Sequence, residues 1–226
     1  MVLNYKSLKE LVYEYIYSKI NSGSLKPNEK IYENQISKDL NVSRTPIREA
    51  LIQLENEGFL ERVRRRGFMV KEISLDKIKE IYEIIGCLEG LSAIHAIDHL
   101  KEEEFKSLKE LTKKMDDAIQ KKNRHDYFKL QRSFHNIVIK ASGNEELFDL
   151  INSLKKRFIK KAYFRHEKED ILYKALKENN IQHKKMINLF KSGNKEEIEK
   201  YFRDTHWDFA RARIVVSPFD SSNQTS

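Results

Sequence analysis

Three histidines, His135, His183 and His206, stand where surface polarity does not explain an imidazole. Each lies among apolar residues: Phe134 and Val138 for the first, Ile181 and Met186 for the second, Phe202 and Phe209 for the third. A buried neutral histidine bonded to a carbonyl accounts for any one of them. Three such rings on separate helical stretches, converging inside a bundle, would be costly to bury unsatisfied yet would make a facial site for a divalent transition metal of the Zn, Ni or Mn kind. Both readings stand on residue type and spacing alone. His95 and His99 share the i,i+4 spacing that grips metals, but they precede Lys101-Glu102-Glu103-Glu104 and read as a surface pair. His125 and His166 lie in charged, loop-like stretches and read as solvated.

A second chemistry is written into residues 41–70, NVSRTPIREALIQLENEGFLERVRRRGFMV. Ser43 is placed to cap a helix, and Pro46 is tolerated in a first turn whose amides lack helical partners. Ile47, Ala50, Leu51 and Leu54 form an inward stripe, so Arg44, Thr45 and Arg48 project from the helix start. Gly58 is the expected stop. Upstream, residues 33–40 read as a short helix carrying Ile36 and Leu40 inward, and Asn41-Val42 is a turn, which together make a helix-turn-helix. Downstream, residues 60–64 and 68–73 read as strands around Arg65-Arg66-Gly67, a hairpin tip with glycine supplying the unusual backbone angle. With a first helix lined by Leu8, Leu11, Val12, Tyr15, Ile16 and Ile20, this is a winged helix-turn-helix. Cations clustered on a helix start and a wing tip suit phosphates and base edges.

The elements that must hold these groups follow from composition. Three Pro, seven Gly and 35% charged residues in a chain of 226 argue for a mainly α protein with strands confined to the wing. The length holds two domains. Residues 74–213 read as an all-α antiparallel bundle with helices near 75–98, 102–121, 124–141, 145–165, 169–191 (with a break expected at Asn179-Asn180) and 195–213, and 214–226 reads as a disordered tail. Net charge is +8, but residues 1–73 hold 13 Lys/Arg against 10 Asp/Glu, so the surplus is spread and local placement decides. The cationic run from Lys155 to Lys168 also invites a nucleic-acid reading; Leu147, Ile151, Leu154, Phe158 and Ala162 instead make an inner face, leaving the lysines to solvate the outside. Cys87, the single cysteine, excludes an intramolecular disulfide and reads as core filler within IYEIIGCLEGL. No apolar run approaches the roughly 20 residues that span a bilayer, and no leader pattern opens the chain, so a cytoplasmic protein without membrane partner is expected.

Residues 8–73 resemble the DNA-binding domain of GntR-family transcription regulators, through SGSLKPNEKI, VSRTPIREAL, LENEGFL and RRRGFMV. Asn34 departs from the pattern, standing where many members carry a DNA-contacting Arg. Residues 75–213 resemble the FCD effector domain of the FadR-type subfamily, through QRSFH, IQH and RDTH. The resemblance places His135, His183 and His206 on metal-ligand positions. It also puts Gln131 where an Asp or Asn ligand is usual, and Ile85 where many members have an Arg. A neutral amide leaves the ion its full charge and weakens its hold.

What the resemblance implies is a homodimeric, ligand-responsive transcription regulator, in its likeness a repressor, that binds a palindromic double-stranded operator and a small anionic effector of the carboxylate class. DNA contacts are expected from Ser43, Arg44, Thr45, Arg48, Arg64, Arg65, Arg66 and Gly67. A metal sensor, in which the ion is itself the signal, shares the same residues. A histidine-metal hydrolase is the rival from another class, but neither HExxH nor a carboxylate at a helical offset from the histidines supplies a general base, so no enzyme is expected.

Overall fold

A computed structural model of the chain describes residues 6–72, 74–163 and 169–212. Of the described residues, 6–74 with 157–163 make one compact unit and 75–156 with 169–212 the other.

In the N-terminal unit, α1 (Leu8–Ser22) opens on a capping box, in which Glu10 N–H donates to Ser7 Oγ and Ser7 N–H donates to the Glu10 carboxylate. Its Val12, Ile16 and Ile20 are buried. Leu8 and Leu11, expected on the same inward stripe, are exposed: Leu8 sits in the first turn ahead of the packed stretch, and Leu11 lies off the four-residue row. Next come α2 (Glu33–Leu40) and α3 (Arg44–Asn56), joined by a turn in which Asn41 takes a left-handed conformation at φ 51°. Ser43 is at the N-cap position of α3 in extended backbone, but its side chain makes no capping bond. At the other end, Gly58 at φ 77° lets its N–H reach Glu55 O and the Phe59 N–H reach Leu54 O, the paired bonds of a Schellman ending. Phe59 is then fully buried beside Leu54, which ties the helix stop to the core.

The wing is an antiparallel pair, β1 (Leu60–Val63) and β2 (Gly67–Val70), in the register Leu60 to Val70 and Val63 to Gly67. Arg64, Arg65 and Arg66 make the turn, and Arg65 as well as Gly67 takes a left-handed conformation, at φ 65° and 80°. The strand after the tip ends at Val70, three residues earlier than expected, where its edge is met by residues 28–31: Ile31 N–H donates to Phe68 O and Val70 N–H to Glu29 O. A Pro-containing bend thus contributes a short third edge to the sheet.

Beyond the wing the described elements are all helical: α4 (Leu75–Ala96), α5 (Glu102–Gln120), α6 (Arg124–Ala141), α7 (Glu145–Tyr163), α8 (Glu169–Ser192) and α9 (Lys195–Tyr201), then a π-helical turn (Phe202–His206) and a last helical turn, α10 (Phe209–Ala212). Two expectations fail here. α8 runs unbroken through Asn179-Asn180, because Asn180 is buried and its amide donates to Thr112 O and Asp116 Oδ1 on α5. The stretch 195–213 is not one helix, since Trp207 N–H bonds Phe202 O and widens the backbone by one residue. α4 lies against α6, α9 and the π turn. The close approach depends on Gly86 and Gly90, where a Cβ would come within 3.0 Å of Trp207 Cβ and 3.2 Å of the Glu199 carbonyl.

Cys87 is exposed. Tyr82, Ile85, Gly86, Glu89 and Ala93 occupy the inward side of α4, which leaves Cys87 outward with Ile84 and Leu91, both also exposed. The predicted disordered tail and the inner-face positions Phe158 and Ala162 lie outside the residues or side chains described. Among the described residues, no helix is long and apolar enough to cross a membrane.

Candidate metal centre and nucleic-acid interface

The three histidines meet. His135 is on α6, His183 on α8 and His206 in the π turn, all are buried, and one ring nitrogen of each lies within 4.8 Å of the others. His135 Nε2 is 3.2 Å from both His183 Nε2 and His206 Nε2. Two nitrogens on one zinc-like ion at bonds of about 2.0–2.1 Å would stand about 3–3.4 Å apart, so these two spacings fit.

Hydrogen accounting sharpens the fit. Glu89, on α4, accepts from His135 Nδ1–H at 2.7 Å, which leaves His135 Nε2 a bare lone pair. Gln182 Oε1 accepts from His206 Nδ1–H at 2.9 Å, which leaves His206 Nε2 bare as well. Two lone pairs therefore face each other across 3.2 Å; an Nε2–H on His183 would reach that of His135 and still leave His206 Nε2 without a donor among the described residues. A proton is a poor remedy, because burial, with the neighbouring His135, holds the His206 imidazole well below its ordinary pKa. Burial and the two other rings do the same to His183, whose Nδ1 has no partner among the described residues. A cation that is not a proton relieves the arrangement, and the donor set of three imidazole nitrogens matches a divalent transition metal.

Glu89 is the residue sequence reasoning missed. It is 1% exposed, and its Oε2 takes both the His135 N–H and the Trp207 indole N–H at 3.0 Å. Its Oε1 faces the Lys155 ammonium as an ion pair without the alignment of a hydrogen bond. Burial alone would raise the carboxyl, but its interactions with His135 and Lys155 outweigh it and hold Glu89 ionised, far below the usual carboxylate range. A carboxylate behind a ligating histidine fixes its tautomer and raises its basicity.

Lys155 reverses an expectation, being buried at 8% rather than solvating the outer face of α7. It continues the four-residue row of Leu147 and Ile151, where Leu154 is only half-buried. Glu89 likewise continues the row of Ile85 at four-residue spacing, a signal that was present in the sequence. Ile181, expected as an apolar neighbour of His183 in the core, is 57% exposed, whereas Gln182 is buried. Gln131 lies half-buried on α6 one turn before His135. His95, His99 and His125 are exposed, and His166 lies outside the described residues.

The other group of expected site residues is gathered on the N-terminal unit, with Ser43, Arg44, Thr45 and Arg48 exposed at the start of α3 and Arg64, Arg65, Arg66 and Gly67 exposed at the wing tip. The structure adds what holds Arg44 and Arg48. Arg44 donates to Asn34 Oδ1 at 3.2 Å and Arg48 pairs with Glu33 at 3.1 Å, so the first turn of α2 orients both. Asn34 acts here as an acceptor for Arg44 where a second cation would repel it. The exposed Arg48 pair contributes little stability and leaves the guanidinium free to exchange Glu33 for another acceptor.

Comparison with known proteins gives two family matches. The model described as bacterial regulatory proteins of the gntR family matches residues 8–70, and that of the FCD domain matches residues 80–205. Among curated relatives, the HTH-type transcriptional regulator YdhC of Bacillus subtilis is 32% identical over 65% of this chain and 62% of its own length. The Nta operon transcriptional regulator of Aminobacter aminovorans is 30% identical over 60% of this chain and 64% of its own. The HTH-type transcriptional repressor RspR of Escherichia coli is 26% identical over 66% and 65%. The matched stretch thus spans a little under two thirds of each relative. Of solved structures, E. coli McbR/YncC superposes with a TM-score of 0.74 at 23% identity, covering 93% of this chain and 98% of that one, a likeness of fold.

Proposed function

The chain belongs to the gntR family of bacterial regulatory proteins and carries an FCD domain, and from that premise we propose a transcription regulator whose helical unit holds a divalent transition metal and, through it, a small carboxylate effector. The single observation that carries the metal reading is the pair of bare lone pairs on His135 and His206, 3.2 Å apart and each fixed by a partner behind its ring. His135, His183 and His206 would hold the ion, with Gln131 a weaker neutral candidate. Bound there, the metal supplies Lewis acidity and open positions for an anion. The chain's own groups do the rest: Glu89 and Gln182 orient rings, Trp207 and Lys155 hold Glu89, and the surrounding apolar residues exclude water.

On the DNA side, Arg44 and Arg48 would meet base edges or flanking phosphates, Ser43 and Thr45 backbone or base, and Arg64, Arg65, Arg66 and Gly67 the neighbouring groove. A palindromic operator read by a homodimer follows from this mode of binding. The bonds that Arg44 and Arg48 make with Asn34 and Glu33 support the assignment, because they present the guanidinium groups together.

The hydrolase reading fails on Glu89. Among the described residues it is the buried carboxylate at the cluster, and both its oxygens are committed to His135, Trp207 and Lys155, so it cannot act as a general base on a metal-held water. The deciding experiment is elemental analysis of the wild type and of the His135→Ala/His183→Ala/His206→Ala variant after metal incubation and dialysis. Stoichiometric metal in the wild type only is expected. Equal content in both proteins refutes the site.

A further inference from the structure

This inference rests on the metal reading and concerns the charge of the anion that the ion holds. Neutral imidazoles of His135, His183 and His206 bring no charge, since ligating nitrogens must be unprotonated. Gln182 and Gln131 bring none. Glu89 brings one negative charge, but Lys155, itself buried on α7, cancels it across Oε1. The buried groups described at the cluster therefore sum to zero, and the further charge that reaches Lys155, Arg132, is exposed. A divalent ion added there keeps two uncompensated positive charges in buried surroundings, where unpaired charge is disfavoured. With Glu89 alone behind His135, half of that charge would already be offset.

We propose that the effector is a dianion, a small dicarboxylate, and that Lys155 determines this by consuming the charge of Glu89. Lys155 is a positioning and charge-setting residue. It need not touch the ligand, because removing its ammonium restores a net negative charge one hydrogen bond behind a ligating ring. The ion pair and the His135 bond share one carboxylate, so the charge that Lys155 neutralises is the one hydrogen-bonded to a ligating ring.

The test uses the full chain loaded with Ni(II), its metal content verified by elemental analysis, titrated calorimetrically with malonate and with malonamate, the same skeleton with one acid converted to an amide. Malonate is expected to bind about tenfold or more tighter in the wild type. Lys155→Met should narrow that ratio severalfold, Lys155→Arg should keep it, and the Glu89→Gln/Lys155→Met double variant, neutral again, should restore it. Chelation by two acids alone would leave the ratio unchanged in Lys155→Met, which overturns the proposal, as does equal affinity of the wild type for both probes. Should Lys155→Met fail to fold, methylphosphonate against its monomethyl ester at pH 8 decides the matter in the wild type, since both bind through one phosphonate group and differ by a charge; equal affinity again overturns it. A chain that retains no nickel refutes the metal reading itself, and elemental analysis separates that failure from the others.

Discussion

Gly86 on α4 lies so close to Trp207 that a Cβ on the glycine would sit 3.0 Å from the tryptophan Cβ. That contact sets where the π turn can lie, and with it His206 and the indole that donates to Glu89. Gly86→Ala should gain roughly 0.5–1 kcal/mol of helix propensity but lose about 1–3 kcal/mol to overpacking, because the obstructing atom is next to backbone and cannot swing aside. The expected net result is a lower melting temperature together with weaker metal retention. A variant as stable as the wild type would show that the approach is slack.

Breaking the buried pair should be costly, and removing it whole should not. Glu89→Gln leaves the Lys155 ammonium buried without its counter-charge, a loss of about 3–5 kcal/mol, and Lys155→Met leaves the converse. The double variant should recover much of the loss, giving a coupling of more than about 1 kcal/mol in a denaturation cycle. Additive single losses would mean that the two charges do not share one environment.

Metal should stabilise only the native chain. At free metal a hundredfold above its dissociation constant, the expected gain is about 2.7 kcal/mol, read as a rise in melting temperature that a chelator reverses and the triple histidine variant lacks. Gln131→Asp should raise metal affinity by adding an anionic oxygen one turn from His135. If the Asp variant binds no tighter, position 131 is outside the coordination sphere.

Operator binding should fall steeply with salt. For about 8 phosphates neutralised by a dimer, the log-log slope is expected near about −7. Arg48→Ala should cost about 1–3 kcal/mol and relax one operator position, whereas Arg66→Ala should weaken all sequences more evenly. Operator affinity unaltered in the Arg44→Ala/Arg48→Ala variant would remove α3 as the reading helix.

Effector and operator should be coupled reciprocally. A carboxylate that weakens operator binding tenfold must bind tenfold more weakly to the DNA complex, about 1.4 kcal/mol measured from either side. Metal alone producing the full change, with no added carboxylate, would favour the metal-sensing reading.

Local chemistry in the sequence determined a good deal of this protein. The Schellman ending at Gly58, the turn through Asn41-Val42, the arginine hairpin and the helical rows of α3 depend on neighbours within a few residues, where backbone angles and side-chain periodicity act directly. The three histidines were legible for the same reason, each being a polar residue on an otherwise apolar helical row. Only tertiary structure decided what stands behind them. A lysine or glutamate at four-residue spacing looks the same whether it is solvated or paired, and the difference between Lys155 inside and Cys87 outside depends on which face of each helix finds a partner. Glu89 could be buried because His135, Trp207 and Lys155 arrive from three other segments to satisfy it. The π turn had no local mark either, since it places His206 and Trp207 by a close approach to Gly86, more than a hundred residues earlier in the chain.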